Sequence, residues 1–369
     1  MIVELTMDAV PGAAVVFDRS YRGVLDLVGK DVSGVMNRVF SSAVTSVVPS
    51  QGQLSTLLSS RGRIIAGFQL FRLEAEGVSH HWSTAPSSAG GDDCAGGARC
   101  PSGAEEGEGA LRLVFLEPLR ESVVNGISKY AFLSDITLLD RTSEVAILSV
   151  EGRKAAQVLQ PLLGRSTLPR LLLGLVRGTI AEVPVTVVRF GESPEGGFDV
   201  WVPRSSLARV RGLLESNARE VGGGPGCPAE AEALRIEAGI AHHGRDYDEE
   251  NFPNDAGWEP ALTYDKCYVG QEIVARMRTY GQANRRLAGV VFPPGASSQV
   301  PASLLVGGEE AGCVSSVAPS ARLGRTVGLA MVKRKFWEAR SGTVLGAMGS
   351  VEVEIVPLPI VRLDSAEAS

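Results

Sequence analysis

Hydrophobic residues recur along this chain with two periods, and the change from one to the other marks out its elements. Val24 to Val28 is a short apolar run that predicts a strand. After Gly29 and Lys30, the apolar positions Val32, Val35, Met36 and Val39 fall at i, i+3, i+4 and i+7, the spacing of one buried helix face. The same succession returns with a strand from Val145 to Val150, then Gly152 and Arg153, then a helix with Ala155, Val158, Leu159 and Leu162 at the same offsets. This echo predicts two related α+β lobes. A strand over Phe198 to Val202 ends at Pro203, where Ser205 or Ser206 can cap a helix carrying Leu207, Val210, Leu213 and Leu214. The run VGGGPGCPAE reads as loop, and Pro228 suits the first turn of a helix that stops at Gly239. From about Leu287 onward, the β-rich stretches LAGVVF, ASLLVG, TVGLAMV, TVLGAM and VEVEIV alternate with Gly, Pro and Ser turns, which predicts a small all-β barrel.

Charge changes this picture in one place. Between GRIIAGFQLFRL and ALRLVFLEPL, which read as two strands, residues 74–110 hold seven acids against one arginine, a deficit as large as the net charge of the whole chain, −6. With Val78 and Trp82 as its only sizeable apolar groups, the segment cannot bury enough surface to offset its ordering entropy, so a disordered insertion in a hairpin loop is expected. Within it, His80, His81, Cys94 and Cys100 offer zinc-ligand chemistry, but CAGGARC leaves five residues between its cysteines where structural sites favour two to four. No metal site is expected. The 369 residues, 44% hydrophobic and 21% charged, fit a globular protein of two or three domains. The acidic balance argues against direct nucleic-acid binding, and no apolar run reaches the ~20 residues needed to span a bilayer. Five scattered cysteines and an acidic N-terminus favour a reducing compartment: cytoplasm in a bacterium, mitochondrial matrix or another organelle in a eukaryote.

Several chemistries are excluded by spacing. Gly23 to Gly29 holds five intervening residues and Lys30 is followed by Asp31, so no phosphate-binding P-loop forms. The glycines at 222–226 lack the third member of GxGxxG, and neither a GxSxG elbow nor an HExxH pair occurs. What remains is the segment 234–289, where an isolated cysteine stands among charged residues. Cys267 lies just before Gly270, which is expected to start the helix GQEIVARM, and a thiol near a helix N-terminus is favoured as thiolate. Lys266, Arg276, Arg278, Arg285 and Arg286 add positive potential for a thiolate or for a ligand bearing carboxylates. A buried packing cysteine beside a solvated basic face satisfies the same pattern.

The run CYVGQE, preceded by YDK and followed by VAR and NRRL, resembles the signature of the YgfZ/Iba57 family, folate-binding iron–sulfur cluster assembly factors related to the glycine-cleavage T-protein. RIEAGI, GRD, NFPNDAGW and GFDVWVP resemble other parts of that family, as do VLDLVGKDVSGVMNRV and SSRGRIIAGFQLFRL, so the resemblance covers most of the chain outside the insertion. It implies an α+β, T-protein-like fold: two interlocked lobes around a folate channel, followed by a C-terminal antiparallel β-barrel. The expected divisions are 1–140 for the first lobe, 141–286 for the second lobe with CYVGQE, and 287–369 for the barrel. The implied cofactor is tetrahydrofolate, and the implied partners are iron–sulfur assembly or client proteins, with no membrane contact. By the same resemblance, Cys267 takes the family's cysteine position, with Tyr268, Gly270, Gln271 and Glu272 completing the motif. Arg235 and Glu237 fall near the folate channel, Glu195 matches an acid that hydrogen-bonds the pterin, and Arg276 joins the binding groups. An ordinary helix-end ion pair between Arg235 and Glu237 is the alternative for those two.

Three departures accompany the resemblance. Lys266 abuts Cys267 where the family places glycine. Ser41, Ser42 and Ala43 replace a TND-type motif, and Ala66-Gly67 stands where T-proteins carry an acid. The implied function is iron–sulfur protein assembly, maintenance or repair, with folate-dependent aminomethyl transfer or N-demethylation as the alternative.

Overall fold

A computed structural model of the chain describes residues 13–73, 109–132, 134–280, 283–346 and 349–362. Most of the acidic segment at 74–110, with both histidines and both cysteines in it, lies outside the described residues. Strand β1 (Val15–Asp18) is followed by β2 (Arg22–Gly29) and helix α1 (Val32–Val39), whose Val32, Val35, Met36 and Val39 are all buried, as the helical period predicts. Then come β3 (Gln53–Leu58), β4 (Ile64–Leu73), β5 (Gly109–Leu116), α2 (Arg120–Ala131) and β6 (Thr137–Asp140). β4 and β5 pair antiparallel, so the two stretches flanking the acidic segment are the arms of one hairpin. The first sheet has the order β3-β4-β5-β2-β6.

The echo in the sequence is an echo in topology. β7 (Val145–Glu151) leads to α3 (Ala155–Leu163), β8 (Leu175–Ile180), β9 (Val183–Val188), β10 (Gly197–Pro203), α4 (Leu207–Glu220) and the two-residue β11 (Gly224–Pro225). Their sheet runs β11-β1-β7-β10-β9-β8, the order of the first sheet except that β1 is inserted between β7 and β11. The lobes thus interlock across the expected division, because the first strand of the chain belongs to the second sheet. Ser206 occupies the N-cap of α4 but makes no capping hydrogen bond, because a 3-10 turn over Arg204–Ser206 leads into the helix instead.

Each sheet carries its helices on one face and meets the other sheet on the opposite face. The inter-sheet core contains Val24, Phe71, Val114, Ile147, Val188 and Trp201, with the Phe71 and Trp201 rings edge to face at 4.9 Å. Burial on both faces explains why VAILSVE and GFDVWVP are nearly continuous apolar runs rather than alternating ones. Acids inside such strands need partners. Asp26 of β2 receives a bidentate pair from Arg112 at 2.7 and 2.8 Å, and that guanidinium lies 5.6 Å from the Trp201 ring.

Helix α5 (Pro228–Ala238) begins on Pro228 and ends on Gly239 in the left-handed region, φ 75°, as its end signals predict. Helix α6 (Gln271–Tyr280) follows the cysteine motif. The remaining strands, β12 (Arg285–Val291), β13 (Ala302–Val306), β14 (Glu309–Ser320), β15 (Arg325–Lys333), β16 (Ser341–Gly346) and β17 (Gly349–Val356), close into an antiparallel barrel in the order β12-β15-β14-β13-β16-β17. β14, EEAGCVSSVAPS, is the strand the hydrophobic pattern does not reveal. Its barrel-core positions include the small Ala311 and Val314, while buried Ser316 faces outward to Arg235 and Asp246, so the strand lacks an apolar signature.

Candidate functional site

The turn from β1 to β2 carries Arg19 and Arg22 into the interior, and both guanidiniums are about 4% exposed. Arg22 donates to Asp199 of β10 at 2.5 Å and to Glu192 at 2.6 Å. Arg19 reaches Glu151 and Glu192, each at 3.2 Å. Three carboxylates therefore share two guanidiniums. Burial works against the Glu192 anion, but Arg22 and Arg19 outweigh it and bring its pKa down to about 2. At Asp199 burial dominates; Arg22 offsets it in part, Glu151 and Glu192 add to it, and the pKa is pushed up to about 6. His242 lies with Nε2 4.0 Å from Glu192, and burial pushes its pKa down to about 4, so it is neutral at pH 7.

A second group forms where the second lobe, α5 and the barrel meet. Glu195 sits on the β9–β10 loop three residues beyond Glu192, with a side chain only 3% exposed. It faces Arg322 of the β14–β15 turn, and Arg153 Nε stands 4.0 Å away. Arg322 Nε is also 3.6 Å from Glu237 Oε2, while Glu237 Oε1 accepts a 2.6 Å hydrogen bond from Ser320. Burial pushes the Glu237 pKa up, against Ser320 and Arg322, which lower it. Glu195 Oε1, Glu237 Oε2 and Arg322 Nε are buried and lack a partner in hydrogen-bond geometry, although their charges attract. Two buried carboxylates with spare acceptor capacity suit a planar group that presents parallel N–H donors.

Arg235 stands apart from that group. Its guanidinium is 1% exposed and fully engaged: Glu232 at 2.6 and 3.1 Å, Asp246 at 2.7 Å, Ser316 at 2.9 Å and the Ile240 carbonyl at 2.6 Å. It fastens α5 to the loop after it and to the barrel. Its partners are Glu232 and Asp246, not Glu237, so the alternative of a helix-end pair between them does not hold, and the guanidinium forms a three-element clamp instead.

The cysteine motif is held against the first lobe. Ser41 Oγ donates to the Ala261 carbonyl at 2.7 Å, and Thr263 N–H donates to the Ser41 carbonyl. Lys266 donates to the carbonyls of Asn37 and Phe40, at the end of α1, and lies 4.7 Å from the Tyr268 ring. Burial brings its ammonium pKa down to about 8. Gly270 has φ +80°, and a Cβ there would stand 2.5 Å from the Ser59 carbonyl oxygen in the β3–β4 turn. Cys267 itself is exposed, which removes the packing-cysteine alternative, and it stands a full turn ahead of α6 rather than at its first residue. Tyr268 is buried with an unpartnered hydroxyl, in an apolar cluster with Tyr247, Val274 and the half-buried Trp258. Gln271 opens α6 half-buried, and Arg276 is exposed and paired with Glu272 at 2.8 Å.

The structure thus brings Glu195 and Glu237 together and keeps Cys267, Tyr268 and Gln271 in one segment, while Arg235 and Arg276 have other partners. The motif reading missed Arg19, Arg22, Glu192, Asp199, His242 and Arg322. The one available signal is Asp199 within GFDVWVP, since an acid in a strand buried on both faces requires a cation.

Comparison with known proteins gives this arrangement a lineage. Residues 108–266 match the GCVT N-terminal domain, and residues 285–361 match the glycine cleavage T-protein C-terminal barrel domain. An aminomethyltransferase of Rubrobacter xylanophilus is 32% identical over 265 residues, covering 69% of this chain and 67% of that protein. One from Corynebacterium aurimucosum is 24% identical, covering 96% of this chain and 89% of its own length. The crystal structure of the glycine cleavage system aminomethyltransferase T from Bartonella henselae matches with a TM-score of 0.74 at 18% identity, over 95% of this chain and 87% of that one, a likeness of fold. On the domains it matches and the identity it shares, the chain belongs to the glycine cleavage T-protein family.

Proposed function

We propose that this protein binds tetrahydrofolate with the pterin edge received by Glu195 and Glu237. The observation that carries this is their pair of buried, hydrogen-bond-deficient carboxylate oxygens beside Arg322. The 2-amino group and adjacent ring N–H of a reduced pterin are a parallel donor pair of the kind such acceptors lack. When bound, the folate would supply a one-carbon carrier; the chain's own residues orient it.

For the use of that folate, we infer a role in assembly, maintenance or repair of iron–sulfur proteins, with Cys267 as the group that meets a partner. This finer reading rests on the exposed thiol within CYVGQE and on what lies at Ala66-Gly67. Ala66 is fully buried in the first-lobe core, and a Cβ on Gly67 would fall 2.2 Å from Trp258 Cζ2. Neither position has room to present the acid that aminomethyl transfer requires by resemblance. Aminomethyl transfer to folate is the second reading, favoured by the relatives named aminomethyltransferase, and on the comparisons alone it is the better supported.

Anaerobic calorimetric titration with tetrahydrofolate tests the shared step. Saturable one-to-one binding is expected, and Glu195→Gln, which removes a charged acceptor worth about 1.5–3 kcal/mol, should weaken it about 10- to 100-fold. A folded protein that gives no saturable heat refutes the proposal. The two uses then separate on activity. Formation of methylenetetrahydrofolate from an aminomethyl donor establishes the second reading. Loss of cluster-enzyme activity in cells lacking the protein, unrestored by Cys267→Ser, establishes the first.

A further inference from the structure

The β14–β15 turn places one side chain where the folate reading needs an opening. Ser320 Oγ accepts from Leu323 N–H and donates to Glu237, which ties the root of the turn to α5. From that root Arg322 extends across the lobe boundary to Glu195. It is held less tightly than Arg22, Arg112 and Arg235. Arg22 and Arg112 are about 4–5% exposed and make well-formed bonds to their carboxylates, and Arg235 is 1% exposed. Arg322 is 22% exposed, its Nε finds no hydrogen-bond geometry, and the adjacent Leu323 is 40% exposed to solvent. Its escape route is therefore short: the turn projects outward, with Ala321, Leu323 and Gly324 exposed on either side of it.

A guanidinium and the guanidine-like edge of a pterin present the same thing to a carboxylate, a planar pair of N–H donors. A group that occupies Glu195 and Glu237 in the absence of ligand thus competes for the acceptors a pterin would use. We propose that Arg322 is an internal stand-in for the pterin edge, a latch that closes on Glu195 and Glu237 and is displaced outward when a ligand with forked N–H donors enters. The inference rests on the folate reading above. It makes the barrel turn a selector: an apolar ring cannot replace the cation, because it offers no donor to Glu195 Oε1 or Glu237 Oε2, whereas a 2-amino-4-oxo ring edge replaces it donor for donor.

The cost of the latch is a reduced apparent affinity. A latch closed nine-tenths of the time weakens binding about tenfold, since only the open fraction is competent. The experiment is anaerobic titration of the full chain with tetrahydrofolate and, separately, with 6-methyltetrahydropterin, which lacks the anionic tail. Wild type, Arg322→Ala and Arg322→Gln are compared. Removal of the fork should tighten the binding of both ligands about five- to tenfold. Tightening seen with tetrahydrofolate but absent with the head group, or affinity unchanged or weakened in both variants while Glu195→Gln still weakens binding about 10-fold or more, overturns the latch and leaves the folate reading standing. Absence of binding in wild type and in both variants, all folded by circular dichroism, overturns both. Binding that appears only in the variants supports both. Hydrogen exchange on the wild-type protein is a check that needs no variant. Amides of residues 321–324 should exchange faster with saturating ligand, and slower or unchanged exchange refutes displacement.

Discussion

The glycine of CYVGQE can be tested for a purely mechanical role. Gly270 has φ +80° and, on the Cβ side, faces the Ser59 carbonyl at 2.5 Å and the Gly62 Cα at 3.0 Å. Gly257, in the segment leading to the motif, has the same φ of +80° but nothing within 4 Å of an added Cβ. Alanine at either position meets the left-handed penalty, about 1–2 kcal/mol, and gains the same small advantage from a stiffer unfolded chain. Only at 270 must backbone also move, because both contacted atoms belong to the main chain of the β3–β4 turn. Overpacking of that kind costs about 1–3 kcal/mol. Gly257→Ala should therefore lower stability by about 1 kcal/mol and Gly270→Ala by about 2–4 kcal/mol. Urea denaturation followed by tryptophan fluorescence measures both on one scale, with the slope checked for constancy. Equal losses in the two variants would refute the close approach of motif to turn, whatever their absolute size.

Other expectations follow from the buried charges and thiols. Arg22→Met strands Asp199 and leaves Glu192 with Arg19 alone, and should cost about 3–5 kcal/mol at pH 7, less near pH 5, where Asp199 takes up a proton. His242 has a folded pKa near 4 against 6.5 unfolded, so the unfolded chain binds the extra proton between those values; its contribution is fully present above pH 6.5 and lost as pH falls towards 4. Asp199 has the opposite sign, its raised pKa costing stability as pH rises from 3.8 to about 6, so His242→Gln should leave a stability profile that rises towards acid across that window. A wild-type profile that matches the variant's between pH 6.5 and 4 contradicts the burial of His242. Iodoacetamide should label exposed Cys267 and Cys313 in the native protein before half-buried Cys227, as read by mass spectrometry; protection of Cys267 until unfolding overturns its exposed placement.

The parts of the fold that were legible in the sequence are those where burial imposes a period. The α1 face, its echo in α3, the Pro228 and Gly239 ends of α5 and five barrel strands all followed from local spacing and end signals. β14 escaped because small residues line a narrow barrel, and β11 because Gly224 and Pro225 pair through their backbone alone. The site divides in the same way. Glu195 and Glu237 were reached through motif resemblance, yet the cation between them, Arg322, has no local mark in the turn ARLG. The Arg22 to Asp199 bond joins residues 177 apart, and nothing short of the tertiary structure selects that pair from the chain's other charges. Arg235 misled for a related reason: its motif is distinctive, but the guanidinium is consumed in holding three elements together.

The displaced first strand imposes an order of events on biosynthesis. β1 pairs with Glu151 and its neighbours on one side and with Gly224 and Pro225 on the other. A chain emerging from the ribosome can complete β2 to β6 with its two helices while Val15 to Asp18 still has no edge to join. Arg19 and Arg22 must likewise wait for Glu151, Glu192 and Asp199 before their charges are neutralised. The nascent first lobe thus carries an unpaired strand until β7 is made, and two guanidiniums that are not fully neutralised until Glu192 and Asp199 follow, an interval in which a chaperone has something to hold.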